Sequence, residues 1–230
     1  MYFASYYRWL VIRDWVRVNQ TDHVLDVGCD DGEIVARLNA DHRFAVDLNP
    51  RCLDPAVRLA QSDARHLPFA SGIFEAVCAF DVIEHIEDDR GVLAELVRVL
   101  ADDGTLWIST PSINFVLFPA FVTARANRGW GHVRNGYSLS DLKHKLPPEV
   151  SIDVVPWNAP VFRFVHVGLR LLDELSSSLT RTLAELCFHL DRRWTAGLNG
   201  HLFVRVRKSE PVSEHPKQDI PEVGEVVVSE

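Results

Sequence analysis

Short apolar runs alternate along this chain with apolar positions at helical spacing. His23 to Gly28 is a brief apolar run ending in glycine, and Ile34, Val35 and Leu38 follow at helical spacing, so the segment reads as strand, turn and helix. Arg43 to Asp47 reads as a second strand, Leu59 to Asp63 as a third and Glu75 to Asp81 as a fourth. Leu93, Leu96, Val97 and Leu100 form a helical stripe, and Asp103-Gly104 predicts a turn into a fifth strand, Thr105 to Thr110. Ser138 with Asp141 three residues on marks another helix start, ahead of a strand around Ser151 to Val155. Gly200 opens a last alternating strand, His201 to Arg207. Strands that alternate with helices predict an α/β fold, with a parallel sheet covered on both faces.

Two further pieces flank or interrupt this alternation. Residues 1–20 read as an amphipathic N-terminal helix, because Arg8, Arg13, Asp14 and Arg17 punctuate its apolar positions and no small-residue cleavage site follows. Residues 160–195 read as a helical hairpin inserted before the final strand. Val161, Phe164, Val165, Gly168, Leu172 and Leu175 share one face, and Leu179, Leu183, Leu186, Leu190 and Trp194 share another, with a break at Ser176 to Ser178. Its apolar stripe is wide, with Arg163, His166 and Arg170 opposite, so a lid, a homodimer contact or a peripheral membrane contact is expected there.

Composition narrows the class. A chain of 230 residues, 47% apolar and 24% charged, supports one substantial core, and residues 1–207 are expected to form a single domain. Residues 208–230 hold six acids, two lysines and three prolines, a composition expected to stay disordered. The net charge of −8 argues against a nucleic-acid partner. Cys29, Cys52, Cys78 and Cys187 form no CxxC pair, and no run nears the roughly 18 apolar residues of a membrane span, so a reducing cytoplasmic location is expected.

The candidate chemistry gathers at the ends of the strands, where open parallel sheets bind ligands. Asp26-Val27-Gly28-Cys29-Asp30-Asp31-Gly32 is a glycine-containing turn, but the series from Gly28 lacks GxGxxG, with Asp30 and Glu33 at the second and third glycine positions. That disfavours a nicotinamide oxidoreductase. Asp47 ends the next strand 19 residues after Gly28, the spacing at which a carboxylate accepts both hydroxyls of a ribose. Asp63 ends the third strand ahead of Leu67-Pro68-Phe69, and the fourth runs into Phe80-Asp81-Val82-Ile83-Glu84-His85.

Together these motifs resemble the class I S-adenosylmethionine-dependent methyltransferases, in their small bacterial branch. VLDVGCDDG resembles the cofactor loop, Asp47 the ribose acid, Asp63 with LPF the adenine turn, FEAVCAFDVIEHI the fourth strand and active-site floor, and VLADDGTLWISTP the elements after it. The resemblance covers residues 22–156 and the last strand. It implies a Rossmann-like three-layer sandwich whose mostly parallel seven-stranded sheet has an antiparallel last strand. It further implies S-adenosylmethionine as cofactor, held by Asp26, Gly28, Asp30, Gly32, Asp47, Leu48, Asp63, Ala64 and Phe80. Asp30 stands where the family usually has glycine, and the short stretch from Asp47 to Asp63 leaves room for only a turn or two of helix. A degenerate, non-catalytic binding or scaffold module is the competing expectation.

For the acceptor side, the resemblance places the connection after the fifth strand over the pocket. Arg125, Arg128, Trp130, His132, Arg134, Tyr137, Lys143, His144 and Lys145 make that connection cationic and aromatic, as suits an anionic small-molecule, sugar or lipid-linked glycan acceptor. An oxygen acceptor has a proton to lose, and His132 and then His85 are the candidate bases. Glu84, Trp130, Arg134 and Tyr137 are the candidate acceptor contacts. Asp81, Glu84 and His85 also resemble the DxxEH set of ubiquinone-pathway O-methyltransferases, although a helix start places such residues together without a metal and none is expected.

Overall fold

A computed structural model describes residues 3–51, 54–193 and 200–208. Cys52, Trp194 and the tail from residue 209 onward therefore lie outside the described residues. Seven strands form one sheet in the order β3-β2-β1-β4-β5-β7-β6. They are β1 (His23–Val27), β2 (His42–Asp47), β3 (Val57–Gln61), β4 (Phe74–Phe80), β5 (Leu100–Pro111), β6 (Val150–Trp157) and β7 (His201–Lys208). The first five are parallel, and β7 runs antiparallel to both β5 and β6. Central β1 and β4 are covered on both faces and so read as near-continuous apolar runs, whereas β3 exposes Arg58 and Leu59 at the sheet edge.

The described residues form six α-helices: α1 (Phe3–Ile12), α2 (Asp89–Val99), α3 (Phe121–Trp130), α4 (Leu139–Lys145), α5 (Pro160–Asp173) and α6 (Ser177–Asp191). One apolar core lies against α1, α5 and α6, the other against α2 and α4. The alternation thus gives the expected three-layer sandwich, with four departures of physical origin. After β1 there is a single 3₁₀ turn at Val35–Arg37 instead of a helix, because the loop takes residues 28–33 and β2 begins at His42. Between β2 and β3 the described residues form no helix at all. Asp103-Gly104 lies inside β5, where the register jumps from Phe74↔Leu100 to Ala76↔Thr105, so the pair forms a bulge and not a turn between elements. The connection after β5 contains the helix α3, which its exposed face had concealed.

The hairpin replaces the missing helix cover on one face. Its break falls at Glu174 to Ser176, slightly before the expected one. The buried residues are His166 and Leu169 on α5 and Thr180, Ala184, Cys187, Phe188 and Asp191 on α6, while Phe164, Leu171 and Leu175 point outward. The apolar face expected to be wider than the sheet can bury thus does leave Phe164 and Leu175 exposed, whereas His166, expected on the opposite side, is buried.

Buried Asp191 ties the layer together. It accepts hydrogen bonds from Tyr7 Oη of α1 at 2.6 Å and from the amides of Val161 and Phe162 at 2.8 and 3.1 Å. The carboxylate thereby caps α5, whose own N-cap residue, Ala159, has no polar side chain to do so. Asp191→Ala leaves two helix amides and a phenol short of an acceptor in a dry layer. It should cost about 2–4 kcal/mol, read as a fall in the urea midpoint at unchanged m-value.

Candidate functional site

Above the carboxyl ends of β1, β4 and β5 lies a cavity of about 370 Å³, roofed by α1 and by the start of α5. Its floor begins at the turn after β1, where Gly28, Asp30 and Gly32 all have positive φ, at 72°, 47° and 68°. Gly28 is required twice over, because a Cβ there would also meet Val82 Cγ2 at 2.4 Å. Asp30 takes the left-handed conformation that aspartate tolerates. Its amide donates to Asp47 Oδ2 at 3.0 Å, its carbonyl accepts from the Arg51 amide at 2.8 Å, and its carboxylate pairs with the Arg51 guanidinium. Asp47 Oδ1 accepts from the Asn49 amide at 2.8 Å, so both its oxygens organise the loops around an open groove shared with Asn49, Arg51 and Gln61.

One half of the cavity is acidic. Asp26 is buried beneath it, and burial, with the charges of Asp31 and Asp47 adding to it, pushes its carboxyl up to about 7. Phe80 lines the same cavity. Asp63 is placed differently: Arg65 binds both its oxygens and lowers it to about 2, so its carboxylate is engaged within its own turn. Ala64 packs in the core, and Leu48 is exposed beside the groove.

The other half gathers four histidines, His85, His132, His166 and His201, with Arg8 and Arg163. Asp81, at φ 55°, accepts from Arg8, accepts from Ser109 Oγ at 2.7 Å and lies 3.5 Å from His201 Nε2. Burial alone would raise Asp81, but Arg8, His201 and Ser109 outweigh it and hold the carboxyl well below its ordinary range. Glu84 is fully buried and is raised well above the carboxylate range by burial and by the neighbouring Asp81 charge. Its Oε2 accepts from Thr110 Oγ1 at 3.1 Å, and Oε1 is buried without a partner.

His85 and His132 meet edge to face, 4.7 Å between ring centroids, with Trp130 5.5 Å from His132. Burial first, then the nearby His85, depress His132 to about 4, and burial likewise depresses His85. His132 Nδ1 is buried without a hydrogen-bond partner, and so is His166 Nδ1. Glu84, His85 and His132 place one ligand-type atom each within 4.8 Å of one another, a set that differs from the Asp81-Glu84-His85 grouping suggested by spacing.

Two candidate acceptor contacts are placed elsewhere. Arg134 donates to the carbonyls of Ile83, Ile86 and Glu87 and pairs with Asp89, while the buried Tyr137 Oη donates to Asp89 Oδ2 at 2.9 Å. They clamp the turn at Ile83–His85 from behind and do not line the cavity. Arg125 and Arg128 are exposed outside it, as are Lys143 and His144. Sequence reading had passed over Arg8, Arg163, His166 and His201 as cavity residues. They come from α1, α5 and β7, and no local motif marks them.

This sheet order with a glycine turn after β1 and an acid ending β2 defines a nucleotide-type site on a Rossmann-like sheet. Residues 25–108 match the family described as "Methyltransferase domain". By that match and by its sequence relatives, residues 25–108 are similar to S-adenosylmethionine-dependent methyltransferases, and the sheet order is that of a Rossmann-like fold. A protein described as a probable S-adenosylmethionine-dependent methyltransferase of Mycobacterium tuberculosis is 32% identical over 97 residues, covering 39% of this chain and 35% of that one. The demethylmenaquinone methyltransferase of Lactobacillus johnsonii is 28% identical over 135 residues, 46% of this chain and 55% of that protein. The chain thus spans a third to a little over half of these relatives' lengths. Among solved structures, an S-adenosylmethionine-dependent methyltransferase from Mesorhizobium loti superposes with a TM-score of 0.61 at 14% identity, covering 90% of this chain and 100% of that one. The phosphoethanolamine N-methyltransferase 2 of Haemonchus contortus, solved with S-adenosylmethionine, gives 0.61 at 16% identity, over 88% of this chain and 52% of that one. No described helix is long and apolar enough to cross a membrane.

Proposed function

We propose that this chain binds S-adenosylmethionine and transfers its methyl group to an oxygen of an anionic small-molecule, sugar or lipid-linked glycan acceptor. The observation that carries the reading is the polarity of the cavity, with Asp26 and Asp31 at one end and histidines and arginines at the other. The cofactor supplies a methyl group already activated on a sulfonium. Its residues here fit: the buried Asp26 offers a carboxylate to a cationic methionine moiety, and Asp47 at the open groove offers acceptors to a ribose.

On the other side, Arg163 supplies positive charge for an anionic acceptor, while Arg8 is paired with Asp81. His132 remains neutral at pH 7, so its unpartnered Nδ1 is free to take a hydroxyl proton, with His85 against its ring. The aromatic walls, Trp130 and Phe162 among them, exclude water around that proton transfer.

Calorimetric titration with S-adenosylmethionine across pH tests the reading. A cation binds the ionised form of Asp26, so affinity should rise about tenfold between pH 6 and pH 8 as a carboxyl near 7 loses its proton. In the free protein the sign is opposite. Asp26 is raised above its unfolded value of about 4, so its contribution to stability is complete below that pH and is lost as pH climbs through about 7. Absence of binding at millimolar cofactor across this range would favour the non-catalytic scaffold.

A further inference from the structure

We infer that the face built from the connection after β5 and the outer side of α5 docks the protein on an anionic lipid surface, at the mouth of the cavity. The apolar part of this face is large and held in place. Phe118 is 54% exposed, Phe121 81%, Phe164 60% and Leu171 63%. Phe118 stacks on Phe164 with centroids 4.6 Å apart, its amide donates to the Arg163 carbonyl at 3.2 Å, and Arg163 Nε donates to the Val116 carbonyl at 2.7 Å. These aromatics are fixed outward by backbone contacts. Several exposed phenylalanines in one patch of a water-facing surface mark a contact site.

Charge decides the occupant. Arg125 and Arg128 follow Phe121 by four and seven residues on α3, which puts them on its side of the helix, and both are exposed. From Ile113 to Ser140 the chain has three arginines and no acid, although its net charge is −8. Exposed aromatics edged by cations match a bilayer whose surface is negative and whose interface accepts aromatic rings. A second copy fits less well: a two-fold contact through this face would bring its arginines towards their own equivalents, with no acid of the same segment to pair with them. Arg163, which anchors the patch, also lines the cavity, so a docked molecule would present that pocket to a lipid-borne acceptor. Only this last clause rests on the proposed function.

Co-sedimentation of the full chain with vesicles tests the inference, using pure phosphatidylcholine and phosphatidylcholine with about one third phosphatidylglycerol. The protein should bind the anionic vesicles and bind the neutral ones weakly. Arg125→Glu with Arg128→Glu should lower affinity for anionic vesicles by about thirtyfold or more, at roughly 1 kcal/mol per basic side chain. Phe121→Ser with Phe164→Ser should lower it at least tenfold on both vesicle types. All four positions are exposed, so melting temperature and S-adenosylmethionine affinity should stay at parental values in both variants; normal cofactor binding with no vesicle binding would sink the docking surface and leave the proposed function standing. Equal vesicle binding by parent and both variants would overturn it, as would a stable dimer by light scattering that Phe121→Ser with Phe164→Ser dissociates.

Discussion

Replacing His132 by alanine should reduce turnover by about a hundredfold or more while changing S-adenosylmethionine affinity by less than threefold. General bases typically contribute 10²–10⁴ to such steps. His132 has the necessary features: it lines the cavity, its Nδ1 is unpartnered, and burial keeps the ring neutral. The depressed value sharpens the test. An ordinary histidine base would make the rate fall below about pH 6.5. Here the acid limb due to His132 should appear near its own value of about 4, and pH 6 should leave it untitrated. His132→Gln, which keeps polarity and bulk but cannot act as a base, should be as slow as the alanine variant. If turnover of the alanine variant is within threefold of the parent, His132 is not the base, and His85 would be tested next.

The sheet was legible because its strands carry the strongest patterns. Apolar β1 and β4 and alternating β7 are found within one or two residues of their sequence boundaries, since burial on both faces or on one face leaves a direct imprint. Helices were legible where a buried stripe or a cap marks them. α2 has its stripe, and α4 has the Ser138–Asp141 capping box. α3 has neither, because much of it faces outward. In the hairpin the spacing marked the apolar face but not its division: Phe164 and Leu175 meet solvent while His166, expected opposite, is buried, because periodicity alone cannot say which part of a face meets the core.

In the site, the acidic half was local in sequence and so could be read from it. The glycine turn and Asp47 are close in the chain and are joined through the Asp30 amide. The histidine- and arginine-lined half is assembled from α1, α3, α5 and β7, and residues such as Arg8 and His201 become neighbours only through the fold. Arg134 shows the converse error. Its sequence context suggested a ligand contact, whereas its guanidinium is taken by three carbonyls and a buried carboxylate.

Asp47→Ala should weaken S-adenosylmethionine binding by about a hundredfold or more, with the fold retained. A carboxylate at this strand end can accept two hydrogen bonds from ribose hydroxyls, and charge-assisted bonds are worth about 1.5–3 kcal/mol each. Losing both is therefore roughly 3 kcal/mol or more, equivalent to that change in dissociation constant. Its oxygens already accept from the amides of Asp30 and Asn49, but each carboxylate oxygen has a second lone pair, so the loop contacts and the ribose contacts can coexist. The same amides explain why stability should fall only slightly. They lie at an open groove where water can replace the carboxylate, so the expected cost is about 1 kcal/mol or less. Asp47→Asn should fall between parent and alanine, because it keeps one acceptor but turns an amide group towards a backbone N–H that the carboxylate had satisfied. Titration calorimetry with thermal unfolding of the same samples separates the two effects. A folded Asp47→Ala protein that binds S-adenosylmethionine within threefold of the parent would remove the ribose from this groove, and with it the placement of the cofactor along β1 and β2.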